Sequence, residues 1–372
     1  MNSFLSITAY ESAESAARIR LPNRLVAAFQ PVTFEKAGYP ARASTEQELA
    51  KYVDVMQEHR FGAIWREKIG GLTGAELAMC EKVLGIVAAH TSERFGQVIL
   101  PRGALLSSLS VFRAFEAIYG RASPKPAVLE LGPGSGYLGL MLGLSGYGYI
   151  GFEVAQAFYL WHSGLMRTAF NVGLAEFATG ESHDGAVSAI HLPWWRAQLL
   201  PPFSIVTCNA MLGEMHPMAL QFMLARARNE FKSAKGRALF LFHDWGFYQV
   251  GNPSWAVNAA FHEHKFGMLH NDDRITAYGL ADHWDGHVAN VPNVSYPPNA
   301  DVLVARQYGA LPISNIWEPM NFSSPSNPVS SILSQMKGGA HTFDELRAIY
   351  TKLGVDPNAD NGDEKFMREC AA

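Results

Sequence analysis

The chain is short of several things, and each shortage closes a class of explanation. It holds three cysteines in 372 residues, Cys80, Cys208 and Cys370, far apart and odd in number. Neither a disulfide framework nor a paired-cysteine metal knuckle is indicated by that set. There is no excess of basic charge: 30 lysines and arginines stand against 34 aspartates and glutamates, a net −4. Nucleic-acid binding draws on a surplus of cations, so no nucleic-acid substrate is expected. No apolar run approaches the roughly 20 residues that cross a bilayer. Met1-Asn-Ser-Phe-Leu5 is not a basic segment leading into an apolar one. No membrane association is expected, and the cytoplasm is the expected location. Internal repeats are absent as well. What the chain does have is 48% hydrophobic residues, enough at this length for a doubly wound α/β domain with further elements around it.

One stretch organises the rest: Ala127-Val-Leu-Glu-Leu-Gly-Pro-Gly-Ser-Gly-Tyr-Leu-Gly139. Ala127 to Leu131 is apolar except for Glu130, the pattern of a buried parallel strand. Gly132, Gly134 and Gly136 follow at alternate positions, and from Tyr137 the sequence turns helical and apolar. Strand, glycine turn and helix in that order are a nucleotide-binding start to an α/β sheet. Glycine permits the tight turn and the close approach of a ligand, while the new helix offers unpaired N–H groups. The next strand is expected over Tyr147 to Phe152, ending at Glu153, whose carboxylate is placed to accept from a ribose diol. The same stretch holds Gly134-x-Gly136-x-x-Gly139, a formal match to the dinucleotide fingerprint, so an NAD-dependent dehydrogenase stays open. Glu130 weighs against it. A carboxylate there would repel a pyrophosphate but attract a sulfonium cofactor with an amino group.

Glu130, Gly132-x-Gly134-x-Gly136 and then Glu153 resemble the class I S-adenosylmethionine-dependent methyltransferases. The resemblance implies a doubly wound, Rossmann-like methyltransferase sheet with S-adenosylmethionine as cofactor. It puts the glycine loop under the methionine part and Glu153 on the ribose. With Pro193-Trp-Trp195, Asn209 followed by Glu214-Met-His216, and His243-Asp-Trp-Gly246, the middle half of the chain is similar to bacterial proteins assigned as sugar O-methyltransferases. That implies methyl transfer to a hydroxyl of a small polar acceptor, a sugar or glycosylated metabolite. Asn209 stands where many members carry an aspartate, so a metal-binding aspartate is not expected there. Methylation of nitrogen or of an aromatic hydroxyl, and a non-catalytic binding protein on the same fold, remain alternatives.

The other elements follow from pattern. Thr45-x-x-Glu48 and Thr73-x-x-Glu76 fit the capping box that opens a helix, and Leu77, Cys80, Leu84 and Val87 then recur at helical spacing. Leu105, Leu109, Phe112, Phe115 and Tyr119 mark a further helix that stops at Gly120. Residues 1–122 read as an N-terminal helical extension, which the resemblance makes a roof over the substrate pocket. A cap that only stabilises the sheet or pairs two copies is the alternative. Residues 123–312 read as the α/β domain. Within it a crossover helix is expected over Ala155 to Phe170, a third strand over Ala186 to Ile190 and a fourth over Phe203 to Asn209. A helix over Met218 to Phe231, a fifth strand over Ala238 to Phe242 and a late strand over Asp301 to Gln307 complete it. Residues 313–372 read as a linker, rich in Pro and Ser across Asn321 to Pro328, and a short helical tail opened by Thr342-x-x-Glu345.

Ligands bind beyond the carboxyl ends of the strands in such a sheet, so candidate site residues are those at strand ends. On the resemblance, Glu130, Gly132, Gly134, Gly136 and Glu153 hold the cofactor, His191 approaches its adenine and Asn209 lies beside its reacting end. Trp194 or Trp195 can stack on the adenine or on an apolar sugar face; a buried aromatic anchor explains them as well. His243 with Asp244, and His216 with Glu214, are the candidate catalytic set. A hydroxyl is a poor nucleophile until its proton is drawn off. A neutral imidazole can take that proton, and a carboxylate can hold the right tautomer. Neighbours on a strand point to opposite faces, so His243 need not pair with Asp244 and can pair across loops with Glu214. For each histidine a structural role is the alternative. After the fifth strand come His262-Glu-His264, His270-Asn-Asp-Asp273 and His283-Trp-Asp-Gly-His287. These match no compact metal spacing, so a divalent metal is the alternative and not the expectation; a polar substrate-binding insert also fits. The expected partner is a small-molecule acceptor, with a homodimer left open.

Overall fold

The computed structural model describes residues 4–29, 42–54, 61–180, 187–209, 211–234, 238–243, 254–272, 274–284, 288 and 326–357. Short apolar runs form one sheet from β1 (Ala127–Leu131), β2 (Gly148–Glu153), β3 (Leu174–Glu176), β4 (Ala189–Pro193), β5 (Ile205–Thr207), β6 (Leu239–Phe242), β7 (Phe266–Asn271) and β8 (Thr276–Leu280). They lie in the order β3-β4-β2-β1-β5-β6-β8-β7. From β3 across to β6 neighbours are parallel, and β8 runs antiparallel to both β6 and β7. All of β1 from Val128 onward is buried, Glu130 included, as a strand covered by helices on both faces must be. β1 is also the switch point: β2 pairs on one side of it and β5 on the other. A crevice therefore opens above its carboxyl end. This is the doubly wound, Rossmann-like sheet that the sequence predicts.

The N-terminal extension is helical: α1 (Ile7–Arg20), α2 (Asn23–Ala28), α3 (Glu46–Asp54), α4 (Phe61–Ile64) running into a π-helical turn at Trp65–Ile69, α5 (Gly74–Phe95) and α6 (Arg102–Tyr119). The capping box of Thr73 and Glu76 is formed at the start of α5. In α7 (Tyr137–Leu144) every residue from Tyr137 to Leu142 is buried. A helix apolar on all sides needs such cover, and β2, α5 and α6 supply it. α8 (Gln156–Phe170) is the crossover helix, packed on β2 and β4. α9 (Pro217–Ser233) and α10 (Ser254–Glu263) cover β6 to β8. There Phe231, Phe240, Phe261 and Phe266 meet at ring-centroid distances of 4.9 to 5.8 Å.

The helices of the expected tail, α11 (Pro328–Ser334) and α12 (Phe343–Lys352), fold back onto the domain. α11 packs on α6 and β7, and α12 packs on α5. Leu72 and His341 exchange backbone hydrogen bonds of 3.0 and 2.9 Å. The two segments run so close that a Cβ on Gly71 would lie 2.2 Å from the Gly339 oxygen.

The sheet corrects the strand assignments in two places. The third strand, expected over Ala186 to Ile190, is Ala189–Pro193, and the short β3 comes before it. A three-residue strand, Leu-Ala-Glu, is too short to display a period of two. The β7–β8 hairpin is the second addition. A bulge between Met268 and His270 breaks its register, so Phe266 faces α10 while His270 turns to α11, 3.0 Å from Ser330 Oγ. The late strand expected over Asp301 to Gln307 lies outside the described residues.

Candidate functional site

The turn after β1 has the backbone that its glycines predict. Gly132, Gly134 and Gly136 sit at φ 64°, 51° and 78°, left-handed values that favour glycine. A Cβ on Gly132 would lie 2.7 Å from Met211 Sδ, and one on Gly136 would lie 2.9 Å from a Leu165 methyl. Gly134 differs. Its nearest neighbour is the Gly132 oxygen at 3.8 Å, so its outer side is open to a ligand.

Two buried carboxyl groups flank this turn. Glu130 accepts from the Tyr149 hydroxyl at 2.6 Å. Burial pushes its pKa up to about 8, against the lowering effect of that hydrogen bond. Glu153, at the end of β2, accepts at Oε1 from the N–H groups of Val154 (2.8 Å) and Ala155 (2.9 Å). Burial pushes its pKa up to about 7, in spite of the backbone donors around it. Glu153 Oε2 is buried and has no hydrogen-bond partner among the described residues. Such an atom costs free energy until a donor reaches it. A ribose diol brings two donors, so the open side of Gly134 and the unused Oε2 fit the nucleoside cofactor that the resemblance implies.

From Tyr149 a run of buried polar rings continues under α8. The Tyr149 hydroxyl lies 3.1 Å from His162 Nε2, and His162 meets His191 edge-on at 4.4 Å. His191 stacks on Tyr159 at 3.9 Å, and Tyr159 donates to Glu176 Oε1. Burial holds the His162 imidazole down to about 3 and His191 well below the ordinary range, so both are neutral near pH 7. His191, expected past the end of its strand and against an adenine, lies inside β4 and is wholly buried. The reason is the strand's register, which carries β4 on to Pro193. Trp194 and Trp195 are buried too. Trp194 Nε1 donates to Glu14 at 3.0 Å and Trp195 packs on Tyr10 at 4.8 Å, so both anchor α1 to the sheet. A cavity of about 430 Å³ opens there, lined in part by Ala13, Arg20, Trp195 and Arg196. It belongs to the β4 edge, four strand spacings or roughly 19 Å from β6.

At the other side of β1, the ends of β5 and β6 are tied together. Asn209 Oδ1 accepts from the His243 backbone N–H at 2.9 Å, and its Nδ2 donates to Thr207 Oγ1 at 3.2 Å. His243, just past β6, has the Lys68 ammonium 2.9 Å from Nε2 and 3.3 Å from Nδ1. Standing this close to both ring nitrogens, the cation lies over the ring and disfavours a second positive charge on it. Lys68 was not a candidate from the sequence. It rides on the π-helical turn, which Arg113 of α6 fixes by donating to Ile69 O (2.9 Å) and Gly71 O (2.8 Å). Arg113 in turn pairs with Glu76 at 2.6 and 3.1 Å. The capping-box acid legible in the sequence is thus the root of the strap that brings Lys68 to His243.

Glu214 is half-buried, and its N–H donates to Met211 O at 2.8 Å in the turn after β5. His216 is exposed and caps α9, with Nδ1 accepting from the Met218 N–H at 3.2 Å. Asp244 lies outside the described residues, as do Asp273 and His287. His262 and His283 are exposed, and His264 pairs with Gln221. Among the described residues no three His, Cys, Asp or Glu side chains come together to hold a metal, and no helix is long and apolar enough to cross a membrane.

Several solved structures are similar to the chain. Magnesium protoporphyrin IX methyltransferase from Synechocystis PCC 6803 with bound SAM is 14% identical, with 64% of this chain and 98% of that one covered and a TM-score of 0.33. Human N-acetylserotonin methyltransferase in complex with SAM is 12% identical over 68% of this chain and 63% of that one, TM-score 0.30. An O-methyltransferase family protein from Burkholderia thailandensis is 12% identical over 63% and 70%, TM-score 0.32. No family model and no curated protein matches the chain. Likeness this distant carries no weight for the chemistry, which rests on the residues of this chain.

Proposed function

We propose that the chain is an S-adenosylmethionine-dependent O-methyltransferase acting on a hydroxyl of a small polar acceptor, a sugar or glycosylated metabolite. One observation carries the reading: an open glycine turn between two buried carboxyl groups, with Glu153 Oε2 lacking a donor. A diphosphate beside the turn would oppose ionisation of both buried acids, whereas a cofactor carrying a sulfonium and an ammonium would favour it. The ribose diol that Glu153 Oε2 can serve is common to both cofactors. The sugar rests on the motif resemblance alone.

When bound, the cofactor supplies an activated methyl group. Backbone groups of the glycine turn and the Glu153 carboxylate bind and orient it, and Glu130, held by Tyr149, forms the floor of the same pocket. His243 takes the proton of the acceptor hydroxyl during attack. Lys68 keeps that ring neutral beforehand, and Asn209 fixes the backbone that carries it. Alignment of the hydroxyl supplies much of the remaining rate.

Labelled S-adenosylmethionine with a panel of sugars and metabolite extracts should give a methylated product. His243→Ala should retain S-adenosylhomocysteine binding and lose about a hundred- to ten-thousand-fold in kcat. Equal turnover by variant and wild type would remove His243 from the chemistry, and stabilisation by NADH alone would remove the whole reading.

A further inference from the structure

Helix α1 buries only two of its fourteen side chains, Tyr10 and Glu14, one turn apart on the same face. Glu14 is fully occupied. It accepts from Trp194 Nε1 at 3.0 Å, from Arg18 at 3.3 Å and from Arg42. Tyr10 is the opposite case: its ring is wholly buried, 4.8 Å from Trp195 and 5.1 Å from Tyr159. Its hydroxyl has no partner among the described residues. A second buried oxygen nearby is in the same condition, Glu153 Oε2. α1 lies at the end of β2: Gln156, three residues after Glu153, donates to Glu11 at 3.3 Å. Glu153 pairs in the sheet with Pro193, next to Trp194 and Trp195 that hold Glu14 and Tyr10. Burial and then the carboxylates of Glu14 and Glu153 push the Tyr10 phenol well above its usual range. The Gln156 side chain holds the next segment over this edge, accepting from the Ala43 N–H at 2.8 Å and donating to its carbonyl at 3.1 Å.

Two buried oxygens without a partner among the described residues are costly, and one polar ligand would satisfy both. We propose that α1 is the closing wall of the cofactor pocket and that the Tyr10 hydroxyl is a ligand-binding group beside Glu153. This rests on the cofactor reading above and extends it to a helix outside the α/β domain. The wall buries few of its side chains and is held in part by polar contacts at Glu11 and Glu14, so it can lift for the ligand and return. With the ligand in place, the phenol hydrogen-bonds the nucleoside from the side opposite the sheet.

The test uses the full chain, with S-adenosylhomocysteine as the probe and calorimetric titration as the readout. Tyr10→Phe keeps the ring and removes only the unpaired hydroxyl. It should leave the melting temperature of the ligand-free protein unchanged or raised, and weaken binding about five- to tenfold. Amide exchange over residues 7–20 should slow when the wild type is saturated. Binding by Tyr10→Phe within twofold of wild type, or exchange over 7–20 that ignores the ligand, overturns the proposal. Glu153→Gln separates the two levels. If it loses affinity while Tyr10→Phe does not, the pocket is right and the wall is wrong. If neither variant binds less tightly, the cofactor reading has failed.

Discussion

Replacing Glu153 by glutamine should make the ligand-free protein more stable at pH 8 while weakening its ligand. The carboxyl titrates at about 7 in the fold, against 4.5 for the unperturbed group, because burial disfavours the charge. The folded chain therefore keeps this proton to higher pH than the unfolded chain does. Unfolding becomes easier as pH rises from about 4.5, and the loss levels off above about 7. The gap of about 2.5 pH units corresponds to about 3 kcal/mol at 1.36 kcal/mol per unit. Glu130, raised to about 8, adds a loss of the same sign. Glutamine keeps an oxygen for the Val154 and Ala155 N–H groups and has no proton to lose. Urea unfolding followed by tryptophan fluorescence at pH 4.5 and pH 8 measures the effect. The variant should match the wild type at the lower pH and exceed it by about 3 kcal/mol at the higher. The ionised form is the one that a diol binds, so wild-type affinity for S-adenosylhomocysteine should rise between pH 6 and 8, with a proton released. The variant should bind about tenfold or more weakly, the cost of losing a charged acceptor. Identical pH dependence of stability in the two proteins would refute the burial argument.

Arg113→Met leaves the Glu76 carboxylate and two carbonyls without their buried donor and should cost about 3–5 kcal/mol in a denaturation experiment. Arg113→Met with Glu76→Met should cost clearly less than the sum of the single changes; additivity would contradict the pairing. Gly151→Ala puts a Cβ 2.9 Å from His162, 3.1 Å from the Tyr149 hydroxyl and 3.2 Å from His191. With all three rings buried, about 1–3 kcal/mol should be lost, and an unchanged melt would show the cluster to be loose. Lys68→Met should lower kcat at least about tenfold with S-adenosylhomocysteine affinity unchanged, and equal steady-state rates would detach Lys68 from the chemistry.

What the sequence made legible is what short-range physics encodes. Three glycines at alternate positions predict the turn because each must adopt a left-handed backbone, and each does. Thr73 and Glu76, three residues apart, predict a helix start because both halves of the capping box are local. β4 was misplaced for the opposite reason: its register is set by pairing with β2 and β3, not by its own pattern. Lys68 meets His243 across 175 residues of chain, and no periodicity announces such a contact. His216 carried a readable signal, since Pro217 after it marks the first residue of a helix and so makes His216 the cap. Tyr10 gave none, because an unpaired hydroxyl becomes visible only once its surroundings are known.

A crystal grown with S-adenosylhomocysteine tests the central claim most directly. The account predicts the nucleoside across the open side of Gly134, with its ribose hydroxyls donating to Glu153. The same crevice left empty at saturating ligand, or occupied by the diphosphate of NADH in a parallel soak, would contradict it.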